Sequence, residues 1–210
     1  MKKIDIVVTL GPSSVNKQFL NFIDNKVSLV RLNMSHVKLQ KLEKRISFIR
    51  KHCSVPVCID TEGAQIRTKI NKSKIIKISE NKRVIINKVG GKFNLYPTMV
   101  FDQLRKDDVL DIGFEGLQLK ILNKSKDIIK LVCLKPGILQ NNKGVHITNR
   151  KINLNFLTTK DLKAINIAKK LKIKNFALSF TNSKNDLINF SKLFPLEKKF
   201  FKIETSRGIK

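Results

Sequence analysis

"VSLVRLNMSH", Val27 to His36, is an apolar run in which polar residues begin to fall on every second position. Side chains on a β-strand alternate between its faces, so Arg31, Asn33 and Ser35 point one way and Leu32 and Met34 the other. One face packs and the other reads like a small binding surface. The neighbouring segments decide what kind of sheet this strand belongs to. "IDIVVTLGPSS", from Ile4, is a nearly continuous apolar run closed by Gly11 and Pro12, as expected of a strand buried on both faces. Ser13 or Ser14 offers an N-cap for "VNKQFLNFIDNK", where Phe19, Leu20 and Ile23 fall at helical spacing. "LQKLEKRISFIRKHC" carries an apolar stripe of Leu39, Leu42, Ile46 and Ile49, and "VPVCIDTEG" is a third strand. Strands separated by helices make βαβ units and a parallel sheet. The C-terminal edge of such a sheet carries the active site, and there stand Arg31, Asn33 and Ser35 from the second strand and Asp60 and Thr61 from the third.

The 210 residues suffice for one sizeable core, or for a core with a smaller insert. Charges interrupt every hydrophobic run well before it could span a bilayer, and no signal-peptide pattern is present, so a soluble, cytoplasmic protein with no membrane partner is expected. The three cysteines, Cys53, Cys58 and Cys133, have no zinc-type spacing and read as small buried hydrophobes in a reducing compartment. A formal charge of +27 raises the question of a nucleic-acid partner. The basic residues are spread along the whole chain, however, mostly Lys in company with many Asn, Ile and Phe, and Trp is absent. That company fits the codon bias of an AT-rich genome better than a phosphate-binding footprint, and no nucleic-acid-binding motif is present.

After Arg67 the pattern changes. From residue 68 to residue 150 run short β-branched segments, "KIIKIS", "RVIINKV", "VLDIG", "LQLKIL" and "IIKLVCL", punctuated by glycine turns such as Gly90-Gly91. They predict a small all-β barrel inserted between residues 1–67 and 151–210. Helical periodicity returns at "LTTKDLKAINIAKKLK", where Thr158 and Asp161 have capping-box spacing. "NFALSF" is a fourth core strand. Ser183 and Asp186 repeat the capping pattern before "LINFSKLF", and "FFKIET" is a fifth strand, with Lys202 and Glu204 on one face.

Each polar group has a plain explanation of its own. A lone Arg near a strand end is usually a surface ion pair, Asp60 and Thr61 can simply close a turn, and His36 has no partners from which to build a triad. Together they place Arg, Asn, Ser, Asp, Thr, Lys and Glu on one rim. That inventory suits phosphoryl transfer, in which cations hold phosphate oxygens and carboxylates hold Mg2+. No Walker A loop, kinase glycine loop or Rossmann fingerprint occurs.

The motifs "TLGPSS", "RLNMSH", "DTEGAQIR", "KGVHI", "LTTKD", "ALSF" and "KIETSRGI" resemble, in order and spacing, the N-terminal half of pyruvate kinase. The usual forms of that family are close to "TIGPAS", "RLNFSHG", "DTKGPEIR", "KGVNLPG", "LTEKD", "ASFVR" and "KIENxEG". The resemblance implies a (β/α)8 TIM barrel, here partial with about five βα units, into which a small β-barrel lid is inserted after the third strand. It implies that Arg31 holds the phosphate of phosphoenolpyruvate and that Lys202 stabilises the phosphoryl group in flight. Asn33, Ser35, Asp60 and Thr61 would ligate K+, and Glu204 would bind Mg2+ or Mn2+. The stretch Asn33, Met34, Ser35 and His36, with Arg67 and Lys143, would contact the phosphates of ADP or ATP. The activity so implied is phosphoryl transfer from phosphoenolpyruvate to ADP, giving pyruvate and ATP in glycolysis.

The chain departs from the family pattern at several points. Val37 stands for a glycine, "EGAQ" for "KGPE", "SFTN" for "SFVR", "HITNR" for "NLPG" and "DIGFEG" for a segment with "DDG". The family's second metal-binding Asp, in a Gly-Asp motif after the fifth strand, has no position here, nor do three further barrel strands or a regulatory domain. The 210-residue chain alone is therefore expected to be unstable or inactive, with a homo-oligomer, a tetramer in the family, forming only if the C-terminal half is supplied. The alternative is a truncated, catalytically inactive remnant that at most binds phosphorylated ligands or a partner chain. A basic nucleic-acid-binding module is a distant third.

Overall fold

The computed structural model describes residues 4–70, 75–113, 116–205 and 208–209. Phe114 and Glu115 of "DIGFEG", and Ser206 and Arg207 of "KIETSRGI", lie outside the described residues. The chain divides into two compact units, Met1–Ala64 with Asn155–Lys210, and Gln65–Leu154. The first unit opens with β1 (Val7–Thr9), α1 (Lys17–Ile23), β2 (Leu29–Asn33), α2 (Leu39–His52) and β3 (Val57–Asp60). The second comprises β4 (Ile66–Ile70), β5 (Ile75–Ile78), β6 (Arg83–Asn87), β7 (Phe93–Tyr96), α3 (Met99–Gln103), β8 (Val109–Ile112), β9 (Leu117–Lys124), β10 (Ile128–Lys135), β11 (Gly137–Gln140) and β12 (Gly144–Ile147). The chain then returns to the first unit with α4 (Thr159–Lys170), β13 (Asn175–Leu178), α5 (Lys184–Leu193) and β14 (Lys198–Phe201).

The first unit is a five-stranded sheet in the order β1-β2-β3-β13-β14, and every pairing in it is parallel. This is the parallel sheet expected from alternating strands and helices, and the partial TIM barrel that the resemblance implied. Period two sorts the strand residues between its faces. Val30, Leu32, Met34, Ile59, Phe176 and Leu178 turn outward and meet the apolar stripes of the helices, including Leu20, Ile46, Ile165 and Phe190, in one buried core. Phe176 stacks on Phe194 with ring centroids 4.0 Å apart, and Phe190 tilts against Phe194 at 4.8 Å. The intervening residues turn inward: Leu29, Cys58 and Ala177 form a small apolar floor with Phe200 against it.

Several local expectations are corrected. β1 is not buried on both faces, because it lies at the sheet edge and Val7, in register with Leu29, is 48% exposed. The cap of α1 is Asn16, whose Oδ1 accepts from the Phe19 amide at 2.8 Å. Ser14 is otherwise occupied, its Oγ accepting from the Gly11 amide at 2.8 Å in the turn after β1. β2 ends at Asn33, so Ser35 sits in a turn rather than on the strand. At α4 the capping box forms as expected, whereas at α5 Ser183 caps the Asp186 amide but the Asp186 carboxylate accepts from Asn182.

The second unit is built on a seven-stranded antiparallel sheet in the order β6-β10-β9-β8-β12-β4-β7, with a separate β11-β5 pair. The Asn94 side chain of β7 donates to the Asn87 carbonyl of β6 at 2.7 Å, bringing the two edge strands together and nearly closing the sheet. Its apolar interior, with Ile86, Leu110, Leu119, Ile129 and Leu131 among the buried residues, makes it a small barrel with its own core.

Candidate active site

Climbing one step along each strand from the apolar floor replaces it with charge. Arg31 follows Leu29 on β2, Asp60 follows Cys58 on β3, Ser179 follows Ala177 after β13, and Lys202 follows Phe200 after β14. Asp60 is the hub. Its carboxylate is fully buried, with the Arg31 Nη1 at 3.4 Å from Oδ2 and the Lys202 Nζ at 3.1 Å from Oδ2 and 3.2 Å from Oδ1. Ser179 Oγ donates to Asp60 Oδ1 at 2.9 Å and accepts from Lys202 Nζ at 2.9 Å. Lys202 also faces Glu204 Oε1 at 3.4 Å. Arg31 is steadied from its other side, its Nε donating to Thr9 Oγ1 at 2.9 Å. One guanidinium and one ammonium charge thus balance two carboxylates, and the buried Asp60 charge has partners on three sides, as a buried ion requires.

Backbone geometry aims these groups. Lys202 lies just past β14, yet its amide donates to Leu178 and its carbonyl accepts from Thr181, both at 3.0 Å, which extends the ladder far enough to keep its side chain inward. Phe180 adopts a left-handed φ of 52°, uncommon without a glycine, and its amide donates to Glu204 Oε2 at 3.0 Å. Thr61 Oγ1 accepts from the Ser179 amide at 3.0 Å, and the Thr61 amide donates to Ala177 at 3.0 Å, fastening β3 to β13 at the site.

The geometry therefore brings Arg31, Asp60, Lys202 and Glu204 into direct contact, with Thr61 joined through Ser179. Asn33 is the register partner of Asp60, and its Oδ1 accepts from the Ser35 amide at 2.8 Å. Met34 is packed in the core, so its side chain does not reach the open face of the turn, while His36 is exposed. Arg67 and Lys143 belong to the second unit, where Arg67 on β4 pairs with Gly144 and its Nη1 donates to the Asn142 carbonyl at 3.0 Å. Sequence reasoning gave no role to Ser179, Glu62 or Lys160; a serine inside "ALSF" carries no periodic mark that separates it from a strand terminus.

Asn33, Ser35, Asp60 and Thr61 supply amide, hydroxyl and carboxylate oxygens, the hard donors that K+ takes. Among the described residues no group of three or more His, Cys, Asp or Glu forms a metal cage. A divalent ion on Glu204 would draw its other ligands from phosphate and water, which is how Mg2+ is commonly held.

Beneath the hub, Cys58 is 1% exposed, and burial pushes its thiol up to about 12, with the Asp60 charge adding to the shift. Cys53 and Cys133 are buried as well, and burial raises their thiols too. Since the thiolate is the reacting form, no thiol of the folded chain should react with Ellman's reagent at pH 8, and all three should react in denaturant. Rapid labelling of Cys58 in the native protein would show that the floor opens.

A family model described as pyruvate kinase, barrel domain, matches residues 1–210. This chain belongs to the pyruvate kinase family. Pyruvate kinase of Staphylococcus epidermidis is 33% identical over 226 aligned residues that take in all of this chain and 39% of that protein. The enzyme of Staphylococcus aureus strain USA300 is 31% identical over the same shares. The chain thus spans about two fifths of the length of the curated pyruvate kinases it matches. The crystal structure of Cryptosporidium parvum pyruvate kinase shares the fold with a TM-score of 0.87 at 23% identity, over 99% of this chain and 48% of that one. No helix among the described residues is long and apolar enough to cross a membrane.

Proposed function

We propose that this chain supplies the phosphoenolpyruvate-binding part of a cytoplasmic pyruvate kinase, which transfers a phosphoryl group from phosphoenolpyruvate to ADP and releases pyruvate and ATP. The observation that carries the reading is the continuous chain of contacts Arg31–Asp60–Lys202–Glu204, which holds two cations beside two carboxylates at the end of a parallel sheet. Arg31 binds the substrate phosphate, its planar fork matched to phosphate oxygens while Thr9 and Asp60 hold its orientation. Lys202 is the compact cation that stabilises charge as the phosphorus–oxygen bond of phosphoenolpyruvate breaks and the bond to the terminal ADP oxygen forms. Asp60 and Ser179 keep that ammonium on the inner face. The enolate left behind takes up a proton to become pyruvate.

Glu204 would be the chain's own ligand for Mg2+ or Mn2+, and Asn33, Ser35, Asp60 and Thr61 would hold K+; when bound, these ions would supply positive charge that neutralises phosphate oxygens. The turn Asn33–His36 serves the ADP phosphates. Homotetramer formation, as in the family, belongs to the whole enzyme. A coupled assay of ATP formation from phosphoenolpyruvate and ADP, with Mg2+ and K+, tests the reading. Little or no turnover is expected from the purified chain alone, and turnover is expected once a polypeptide carrying the C-terminal share of a pyruvate kinase barrel is added. No turnover in the mixture, with phosphoenolpyruvate still binding to the chain, would favour the inactive, ligand-binding remnant.

A further inference from the structure

We propose that Lys160 is a positioning residue: through Glu62 and the Met34 carbonyl it fixes the turn Asn33–His36 against the turn that follows β3. The inference rests on the reading above only where that turn is assigned to the nucleotide and K+.

Lys160 occupies the second position of α4, where a cation opposes the positive end of the helix dipole. The helix gains nothing from it there, and its partners lie elsewhere. Its Nζ donates to the Met34 carbonyl and to Glu62 Oε1, the latter at 2.8 Å. The Glu62 side chain is 8% exposed, and its other oxygen accepts from the Thr158 hydroxyl at 3.2 Å. The amides of Glu62 and Gly63 donate to the Asp161 carboxylate at 2.7 and 3.2 Å, so Glu62 is anchored through backbone and side chain alike to the first turn of α4.

The mechanical consequence falls on one peptide group. Met34 is held by its side chain in the core, by its amide, which donates to the Asp60 carbonyl at 2.8 Å, and by its carbonyl, which Lys160 takes. Met34 thus links the turn to β3 through the 33–34 peptide and, by way of Lys160, to Glu62 through the 34–35 peptide. Next to it, Asn33 Oδ1 and Asn33 carbonyl accept from the Ser35 and His36 amides at 2.8 and 3.1 Å. Removing the Lys160 ammonium frees the Met34 carbonyl while leaving the sheet and the outer core untouched. Loosening should be confined to Ser35 and His36.

Amide hydrogen exchange read residue by residue tests this in the chain as it stands. Lys160→Met should speed exchange at Ser35 and His36 about tenfold or more, a measure of local opening, with β1 and β3 unchanged. Lys160→Arg, which keeps a cation with reach, should return it to within about threefold. Because Lys160→Met alone leaves Glu62 with a buried charge, the double variant Glu62→Gln/Lys160→Met guards against unfolding and should show the same local opening. Wild-type exchange at Ser35 and His36 in the double variant, or equal acceleration throughout the first unit, overturns the proposal. In an assembled active enzyme Lys160→Met should raise the KM for ADP with kcat nearly unchanged. A flat KM alongside fast local exchange would leave the positioning role intact and remove the nucleotide from that turn.

Discussion

Replacing Lys202 by methionine in an assembled enzyme that carries this chain is expected to lower kcat for ATP formation by about a thousandfold, the scale of losing a preorganised charge at a reacting group. Two effects are superimposed and can be separated. Lys202 gives Asp60 its closest cation, and Asp60 is fully buried. Methionine would leave that carboxylate to Arg31 at 3.4 Å and the Ser179 hydroxyl at 2.9 Å, at a cost of about 2 kcal/mol in stability. Lys202→Arg keeps a cation beside Asp60, and its stability should stay within about 1 kcal/mol of the parent. Its guanidinium is a rigid fork, however, which cannot follow moving charge as a compact ammonium does, so ATP formation should still fall about a hundredfold. Denaturant titration and steady-state kinetics on both variants check this. Near-parental turnover in Lys202→Met would remove Lys202 from the chemistry.

Gly63→Ala should be the most damaging single-methyl change in the first unit. Gly63 has φ of +68°, and an added Cβ would stand 2.2 Å from the carbonyl oxygen of Ser179 and 2.7 Å from its carbonyl carbon. Those are backbone atoms, and the turn that bears them is tied down by the bond from the Ser179 amide to Thr61. The turn must therefore move, costing about 3 kcal/mol, or about 6–12 °C in Tm for a chain of this size. It should also carry Ser179 away from Asp60, lowering affinity for phosphoenolpyruvate. Gly11→Ala is the control, since nothing lies within 4 Å of the position its Cβ would take, and its effect should stay within about 0.5 kcal/mol. Equal midpoints for the two variants would contradict the packing of the turn after β3 on Ser179.

Much of this fold is written in short periodicities. The alternation in "VRLN" correctly puts Leu32 in the outer core and Arg31 beside Asp60, and the stripe Leu42, Ile46, Ile49 correctly gives the buried face of α2. What a period cannot show is where it stops. Ser35 continues the alternation in sequence, but Asn33 Oδ1 takes its amide and turns the chain, which ends the strand. Two candidate caps, Ser13 and Ser14, lose to Asn16 because the turn after β1 claims Ser14. At the site, the groups that act across the sheet, Arg31, Asp60, Lys202 and Glu204, are visible because strand ends collect them. Ser179, Lys160 and Glu62 act through contacts nearly a hundred residues or more from their partners, and no local pattern announces those.

The Asp161 carboxylate has a wider bearing than helix capping. It accepts at once from the Thr158 amide at 2.9 Å and from the Glu62 and Gly63 amides, so the first turn of α4 and the loop leaving β3 share a single anchor. Neither can fray alone. A fluctuation that unwinds the start of this helix also releases the loop that follows the buried Asp60, so the order around that carboxylate and the integrity of one helix end rise and fall in a single cooperative event.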